Sequence, residues 1–562
     1  MESTPATAST RPAEPEVPSI EDDPSLGLSR RTKFEILGAI MLGMFLAALD
    51  QTIVGPVLPR IVTELHGADL YTWVVTIFLL TSTVSVPIYG KLSDLYGRKP
   101  LLTIGIVLFL IGSVLSGLSQ EMWQLILFRG IQGIGAGSIF PIALAVIGDL
   151  FTPAERGKYQ GLFGGVFGIA FLVGPFVGGY LTDHLSWNWI FFVNLPIGIV
   201  ALVVIERLLP NFRGHGRKVQ IDYLGVVTLV AGLVPILIGL TIAETGGFQD
   251  PAVWIWGAAG IVFLVAFIFV ERRASEPVIP LHLFQNRTFS ASMVAIFFAT
   301  FGFGAAIIFL PLYFQVVEGA NATASGYRLL PFLVGLIGGS IASGQIVSRT
   351  GKYKPILLAG MVSLIVGLAL MTQLRVDTGD TMLAVWMFIA GLGVGPMFAV
   401  FTIVVQNSVP FHELGTATSD LTLFRQIGTT VGITMAFTLF RNNLSWGLLH
   451  DQIVAAGAPA ALVPTSAPAG FDLGALTSVG NSNALAFINQ IPAQFQATFI
   501  QGFHSAFTIA IANSIWLGVI AAGVALVASF VLREIPLRKT MGPATAGMAR
   551  EAARGRAQPT AD

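Results

Sequence analysis

The chain has 562 residues, is 54% hydrophobic and only 11% charged, and carries no formal net charge. Soluble domains are about a quarter charged, so this composition excludes a soluble globular protein. The chain contains no cysteine, which excludes disulfides, thiolate metal sites and cysteine nucleophiles.

Apolar runs of about 20 residues recur along almost the whole chain, and this is the length that a helix needs to cross a bilayer. Backbone groups in lipid must be paired within the structure, and the runs are too continuous for barrel strands. We therefore predict an all-α membrane protein. Its fourteen predicted helices are, in chain order, residues 35–59, 71–92, 101–118, 123–149, 158–182, 188–208, 222–243, 252–271, 289–316, 326–348, 355–374, 381–406, 418–444 and 503–532.

The first predicted helix contains the run LGMFLAALDQTIVGPVLP, in which Asp50 and Gln51 interrupt apolar residues. A charge at mid-bilayer costs about 2.5–3.5 kcal/mol on insertion scales, so an acid kept there indicates a function. Arg129 in the fourth helix lies at a similar depth, at about 1.5 Å of rise per residue. Either these opposite charges interact during function, or they form a fixed structural ion pair.

One pattern occurs twice along the chain. GKLSDLYGRKP after the second helix is repeated as GQIVSRTGKYKP after the tenth, and GIGAG in the fourth helix is repeated as GLGVG in the twelfth. A six-helix unit therefore appears twice, with the seventh and eighth helices inserted between the copies. Such a parallel repeat is typical of transporters, whose substrate site lies near mid-membrane between the halves.

The short turn after the second helix combines glycines with charged residues. Asp94 is predicted to pair with Arg98 and to cap a helix N-terminus of the opposite half, where the helix dipole favours an anion. Ser348 replaces this acid in the second copy, so the predicted latch is asymmetric. Ordinary positive-inside topology is the alternative explanation of the charges. The residues concerned are Gly90, Asp94, Gly97, Arg98 and Lys99.

The fifth helix is rich in glycine around one proline, in the run GIAFLVGPFVGG. Small residues allow close helix packing, and proline removes one helical hydrogen bond. Packing alone would explain this composition. The residues of the motif are Gly168, Gly174, Pro175, Gly178 and Gly179.

These motifs resemble those of the major facilitator superfamily, and specifically of its fourteen-helix drug:proton antiporters. LDQTIVGPVLP resembles the first-helix motif, GKLSDLYGRKP the loop 2–3 signature, LFRGIQGIGAG the helix 4 motif, GIAFLVGPFVGG the antiporter motif, and WNWIFFVNLPIG the start of helix 6. The five matches occur in order and cover nearly all of the chain. The resemblance implies a major facilitator fold with two six-helix halves and two inserted central helices.

The resemblance also implies roles for these residues. Helices 1 and 4 of that family line one cavity, so Asp50 and Arg129 are predicted to couple transport to protons, directly or through Gln132 or water. The loop 2–3 motif implies a latch that closes the cytoplasmic side, and Glu155 and Arg156 resemble the pair that assists it. The helix 5 motif implies a bend that seals against proton leak and marks exporters.

The predicted substrate cavity combines aromatic faces, which suit apolar or cationic ligands, with polar groups inside helices. Arg425 is the one basic residue well inside the second half. It is predicted to complement the charge of Asp50, to bind an anionic substrate group, or to fix its helix. The cavity candidates are Gln51, Trp73, Gln132, Phe140, Phe171, Phe301, Phe314, Gln315, Phe398 and Arg425.

The basic residues predict the orientation of the chain. An even number of helices places both termini on one side, and all but six of the 31 Lys and Arg residues share that side. Lys and Arg accumulate on the cytoplasmic side of membrane proteins, so both termini are predicted to be cytoplasmic. The exceptions are Arg60, Arg328, Arg375 and Arg441 at the other side, and Arg129 and Arg425 inside helices.

The predicted domains follow from these elements. The segment at about 446–499 is rich in Ala, Pro, Gly, Ser and Asn and is unusually long for a connection, and no role is assigned to it. The domains are a disordered cytoplasmic tail at 1–34, the first half at 35–210, the inserted helices and linkers at 211–288, the second half at 289–535 with its long external loop, and a second disordered tail at 536–562.

The chain lacks the glycine-rich loop of a P-loop ATPase and the H-E-x-x-H motif of a metalloenzyme. We therefore expect a non-enzyme without cofactor or metal. We also expect a monomer with no nucleic-acid partner, and the resemblance to the drug:proton antiporters implies a bacterial cytoplasmic membrane. Protons, a small amphipathic substrate and the lipid bilayer are the predicted partners. The predicted function is proton-coupled drug export. The alternatives are export of an endogenous lipid, siderophore or antibiotic, proton-linked uptake, and a receptor on a transporter fold.

Overall fold

The computed structural model describes residues 28–67, 70–210, 221–459, 463 and 493–537, and every regular element in these ranges is helical. The first half contains α1 (Arg30–Leu65), α2 (Tyr71–Tyr96), α3 (Arg98–Gly117), α4 (Met122–Leu150), α5 (Pro153–His184), α6 (Trp189–Phe192) and α7 (Asn194–Leu208). The inserted pair is α8 (Tyr223–Gly246) and α9 (Pro251–Glu271). The second half contains α10 (Arg287–Val316), α11 (Ala322–Arg328), α12 (Leu330–Thr350), α13 (Lys354–Met371), α14 (Asp380–Ser408), α15 (Leu414–Asn443), α16 (Trp446–Ala455) and α17 (Ala493–Val531).

Within the described residues, thirteen helical stretches are long and apolar enough to cross a membrane, if α6 and α7 are counted as one stretch. The remaining predicted span is the thirteenth, residues 418–444. It corresponds to α15, which has 30 residues but carries Asp420, Arg425, Gln426 and several threonines. α15 packs against α2, α10 and α17, so its polar residues face protein. The predicted all-α membrane fold is confirmed.

Several predicted boundaries differ from the observed ones. α1 begins at Arg30, inside the predicted tail, because the hydroxyl of Ser29 accepts a hydrogen bond from the Thr32 amide and caps the helix. The predicted sixth helix is divided at Val193 into α6 and α7.

The predicted external loop at 446–499 is shorter than expected. α16 occupies its first part, and α17 begins at Ala493 instead of at residue 503. Most of the rest of this loop, and most of both predicted tails, lie outside the described residues.

One end of the bundle holds the start of α1 and the end of α17. The Phe34 ring lies 5.8 Å from the Tyr159 ring at the start of α5. The Asn407 amide, at the end of α14, donates to the carbonyl of Ile535 at 3.4 Å. We call this end the termini side.

The repeated glycine motif makes equivalent contacts in the two halves. Gly90 of α2 lies against Gly415 and Ser419 of α15, and a Cβ atom at Gly90 would overlap the Ser419 hydroxyl. Gly344 of α12 lies against Gly157 of α5, and a Cβ atom there would overlap the Gly157 carbonyl. The repeat therefore positions two interfaces between the halves, α2 with α15 and α5 with α12.

Candidate functional site

Asp50 is at the centre of a buried polar network in the first half. Its side chain has no exposed surface, and α1 places it facing α4 and α7. Its Oδ2 atom accepts a hydrogen bond from Nη1 of Arg129 at 2.5 Å. Its Oδ1 atom accepts from the Gln132 amide at 2.8 Å and from the Asn194 amide at 3.0 Å. The carboxylate thus has three donors, as a buried charge requires.

Arg129 is held by aromatic rings as well as by the carboxylate. Its guanidinium lies 4.1 Å from the ring centre of Phe78 and 5.8 Å from that of Phe191. Its Nη1 atom also donates to the Gln132 side chain at 2.8 Å. Gln132 therefore bridges the two charges, and the structure brings the predicted coupling residues into direct contact.

Asn194 is a member of this network that the sequence analysis missed. Besides Asp50, its amide contacts the hydroxyl of Ser113 at 3.0 Å, and Ser113 donates to the carbonyl of Phe191 at 2.8 Å. The network thereby joins α1, α3, α4 and α7. The available signal was the single asparagine within the apolar run WIFFVNLPIG.

The charge of Asp50 determines how Arg129 is held. Two buried charges in contact are stable only while each has its partner. Protonation of Asp50 removes the charge that holds Arg129, whose guanidinium must then find other acceptors. A change of one proton can therefore alter the contacts between α1 and α4.

A second polar feature lies nearer the termini side, and we call it the central aromatic cluster. It consists of Arg425 with Phe140, Phe163, Phe167 and Phe398. The Arg425 guanidinium lies 4.9 Å from the ring centre of Phe398 and 5.5 Å from that of Phe163. The three rings of the first half contact one another at 5.0 to 5.8 Å. Phe398 of the second half contacts Phe163 at 5.5 Å and Phe167 at 5.6 Å. Phe163 and Phe167 were not among the predicted cavity residues.

The other cavity candidates lie apart from this cluster. Phe314 and Gln315 are at the far end of α10, where Phe314 stacks with Arg328 at 5.4 Å and Gln315 donates to Ser325 at 3.0 Å. Phe301 lies along α10 beside Phe298, with a ring separation of 6.5 Å. The half-buried candidates are Gln51, Trp73 and Phe171.

Asp94 makes the contact between halves that its motif predicts. Its Oδ1 atom accepts from the Gly415 amide at 3.0 Å, and its Oδ2 atom accepts from the amide and the hydroxyl of Thr416, each at 2.7 Å. Arg98 pairs with Asp94 at 2.5 Å. The acid of α2 therefore caps the N-terminus of α15 in the opposite half.

Arg98 has a second acidic partner that the sequence analysis missed. Its Nε atom donates to Oδ2 of Asp149 at 3.0 Å. Asp149 is 9% exposed and lies at the end of α4. The sequence feature that could have indicated Asp149 is its position as an acid at the end of an otherwise apolar helix.

Two other residues of the turn act within the first half. Gly97 has φ = +100°, a conformation that favours glycine. Lys99 pairs with Glu206 of α7, with Nζ 3.4 Å from Oε2. Lys99 thus fixes α3 to α7.

Glu155 and Arg156, at the start of α5, make different kinds of contact. Glu155 completes a capping box with Thr152, whose amide donates to Oε2 at 3.2 Å, so this acid serves its own helix. Arg156 donates to the Phe151 carbonyl at 3.0 Å and lies 5.4 Å from the ring centre of Phe411 in the second half.

Further contacts between the halves lie at the termini side. Gln160 of α5 donates to Gln406 of α14 at 2.8 Å, and Gln406 donates to the Leu144 carbonyl of α4 at 3.1 Å. The Ser348 hydroxyl donates to the Ala154 carbonyl. The two halves are therefore joined at the termini side of the bundle.

The glycines of α5 use two faces. Gly157, Gly161, Gly164 and Gly168 lie against α12 of the opposite half, whereas Gly174 and Gly178 lie against Thr52 and Ile53 of α1. Along the helix, Pro175 lies between Gly174 and Gly178, and Gly179 follows Gly178. The motif thus packs α5 against α1, beside the helix turn that carries Asp50.

Asp420 is a further buried acid that the sequence analysis did not select. It has no exposed surface, and neither carboxylate oxygen has a hydrogen-bond partner within the described residues. Its neighbour one turn later, Leu423, packs into the apolar contact with α2 and α8. Asp420 therefore lies at the junction of both halves and the inserted pair.

Comparison with known proteins identifies the class. The family model described as Major Facilitator Superfamily matches residues 40–219 and 223–433. The chain therefore belongs to the major facilitator superfamily, a family of membrane transporters.

Individual relatives agree with this class. The chain is 37% identical to the multidrug transporter protein MdtP of Bacillus subtilis over 521 residues, which is 91% of this chain and 94% of that protein. It is also 37% identical to multidrug resistance protein 3 of the same bacterium, over 75% of this chain and 81% of that protein.

Solved structures show the same fold. The human organic anion transporter MFSD10 superposes with a TM-score of 0.56 at 14% identity, covering 89% of this chain and 99% of that one. The proton:xylose symporter XylE superposes with a TM-score of 0.55 at 15% identity, covering 88% and 95%.

Proposed function

We propose that this protein is a proton-coupled antiporter that exports amphipathic drugs or other small molecules from the cytoplasm. The names of the relatives from Bacillus subtilis support multidrug export. The observation that carries the proton coupling is the fully buried Asp50 in contact with Arg129.

The cycle begins with Asp50 ionised and Arg129 held against it. A proton from the outer side neutralises Asp50, and Arg129 shifts toward its aromatic neighbours and Gln132. The rearranged α1 and α4 then favour the alternate access state, in which the proton leaves to the cytoplasm and substrate binds. Asp94 and its contacts with α15 hold the termini side closed during the other part of the cycle.

One proton supplies enough free energy for useful export. Movement of one charge through 100 mV gives about 2.3 kcal/mol. One pH unit adds about 1.4 kcal/mol. Together they sustain a gradient of a neutral substrate of roughly a few hundredfold.

The proposed orientation places the termini side in the cytoplasm of a bacterial cell, with the protein a monomer in the cytoplasmic membrane. The excess of Lys and Arg on the termini side supports this orientation. The termini-side contacts of Asp94 and Gln160 then form the cytoplasmic gate.

The substitution Asp50→Asn tests the coupling. Purified protein is reconstituted into liposomes with an acidic lumen, and accumulation of ethidium and rhodamine 123 is followed by fluorescence. The wild-type protein is expected to accumulate dye in proportion to the pH gradient. D50N is expected to lose this uphill accumulation, because the side chain no longer binds and releases a proton, while dye binding in detergent persists.

The matched control is Asp451→Asn, the same chemical change at a side chain that is 75% exposed. It is expected to transport as the wild type does. Full pH-driven accumulation by D50N would refute the role of Asp50. Wild-type dye movement that ignores the pH gradient would refute proton coupling altogether.

A further inference from the structure

Arg425 is a buried cation with two guanidinium nitrogens that have no hydrogen-bond partner within the described residues. The residue is 8% exposed, and the two nitrogens are Nε and Nη2. Its observed contacts are the faces of Phe398 and Phe163. A buried charge is costly unless it is paired, and ring faces offer only part of what a carboxylate would supply.

The position of Arg425 is central in the bundle. Counted from the termini-side ends of their helices at about 1.5 Å per residue, Arg425 and the four rings lie roughly 15–21 Å deep. Phe140, Phe163 and Phe167 come from the first half, and Phe398 and Arg425 come from the second. The central aromatic cluster therefore lies where both halves meet near mid-membrane.

The charges elsewhere in the core do not compensate Arg425. Asp50 is already paired with Arg129, about 15 Å farther from the termini side. Asp420 is five residues away on α15, on a different helical face that meets α2 and α8. The uncompensated charge that faces the central aromatic cluster is thus positive.

We infer that Arg425 and the phenyl rings of the central aromatic cluster bind the anionic group and the aromatic body of the transported molecule. This inference rests on the proposed export function and assigns its substrate class: aromatic amphipathic compounds that carry a carboxylate or a similar acid. In the absence of such a group, the guanidinium remains stacked on Phe398 and Phe163. A carboxylate forms charge-assisted hydrogen bonds to Nε and Nη2 that the rings cannot form.

A pair of dyes with one body tests the inference. Rhodamine 110 carries a free carboxylate, and rhodamine 123 is its methyl ester. Binding of each to the full-length protein in detergent is measured by fluorescence anisotropy, and acid-driven accumulation of each is measured in liposomes. The wild-type protein is expected to bind rhodamine 110 roughly tenfold or more tightly than rhodamine 123.

Three variants locate the preference. Arg425→Gln is expected to abolish it by weakening rhodamine 110 alone, and Arg425→Lys is expected to retain part of it. Arg441→Gln makes the same change at the exposed end of the same helix and is expected to keep the full preference. Thermal unfolding in detergent shows whether each variant is folded.

The outcomes separate this inference from the proposed function. A wild-type protein that binds rhodamine 123 as well as or better than rhodamine 110 overturns the inference without any variant, as does an R425Q protein that keeps the preference. If either dye still accumulates in response to an acidic lumen, the export function stands. An Arg425-dependent preference without acid-driven accumulation would uphold the anion site and reject the export function.

Discussion

At the scale of single residues, the protein separates two kinds of buried charge. Asp50 is satisfied by three donors from Arg129, Gln132 and Asn194. Asp420 is as deeply buried as Asp50, and Arg425 is 8% exposed, but both have polar atoms without partners in the described part of the chain. Because uncompensated buried charge is costly, the latter residues are candidates for contacts that form in another state of the cycle.

Asn194 is predicted to be a positioning residue for Asp50. Asn194→Ala removes one donor to the ionised carboxylate, which favours the protonated form. The midpoint of transport rate against pH is therefore expected to move upward. The measurement is the initial rate of dye accumulation at a fixed pH difference over a series of absolute pH values.

The control for Asn194→Ala is Asn188→Ala, the same change at the residue that precedes α6. Asn188 donates to the Gly117 carbonyl at 2.7 Å, and it is not one of the three donors to Asp50. It is expected to lose some thermal stability and to keep the wild-type pH profile. An unshifted midpoint in N194A would show that Asn194 has only a structural role.

At the scale of helices, glycine residues allow helices of the two halves to approach each other closely. α5 and α12 are in backbone contact at Gly157 and Gly344, and α2 approaches α15 at Gly90. Small residues at such crossings let backbones pack without intervening side chains, and the packing itself stabilises association in lipid. These two crossings make the termini-side interface sensitive to single methyl groups.

Gly344→Ala is predicted to weaken closure of the termini side, because a Cβ atom at this position meets the Gly157 backbone. Overpacking costs about 1–3 kcal/mol, so the open population should rise roughly tenfold. The natural chain has no cysteine, so a single Thr418→Cys reporter can be used. The rate of its alkylation by a maleimide from the termini side is the readout.

Gly338→Ala provides the matched control on the same helix. No atom lies within 4 Å of a Cβ built at Gly338. Its alkylation rate should equal that of the reporter alone. Equal rates for G344A and G338A would contradict the assignment of this crossing to the closed state.

At the scale of the whole molecule, the two halves repeat a pattern but close unequally. The interface of α2 with α15 is held by the acid Asp94 with its hydrogen bonds to Gly415 and Thr416. The interface of α5 with α12 has Ser348 at the equivalent place, with one hydrogen bond to Ala154. Opening of the termini side should therefore depend mainly on the acid.

Asp94→Ala is predicted to open the termini side far more than Ser348→Ala. The first change removes three hydrogen bonds and leaves the buried Arg98 with one acidic partner, so alkylation at the Thr418→Cys reporter should rise roughly thirtyfold or more. The second change removes one neutral hydrogen bond, and the expected rise is about fivefold or less. Equal effects would show that the latch is symmetric.

The sequence by itself determined the class of protein, the helices and the repeat. Runs of apolar residues must become helices in lipid, and an acid such as Asp50 within such a run is conspicuous because its cost is high. The local motif around Asp94 also predicted its cap on the opposite half. These features depend on composition and local spacing, which a sequence displays directly.

Only the tertiary structure decided which distant residues meet. Helix packing makes Asn194 a partner of Asp50 and Asp149 a partner of Arg98. Phe314 lies apart from the central aromatic cluster, against Arg328, although its residue type suited a cavity. The facing side of an apolar helix is not marked when its whole surface is apolar, because lipid and protein interior favour the same side chains. The partners of buried polar groups therefore depend on how helices from both halves rotate and pack.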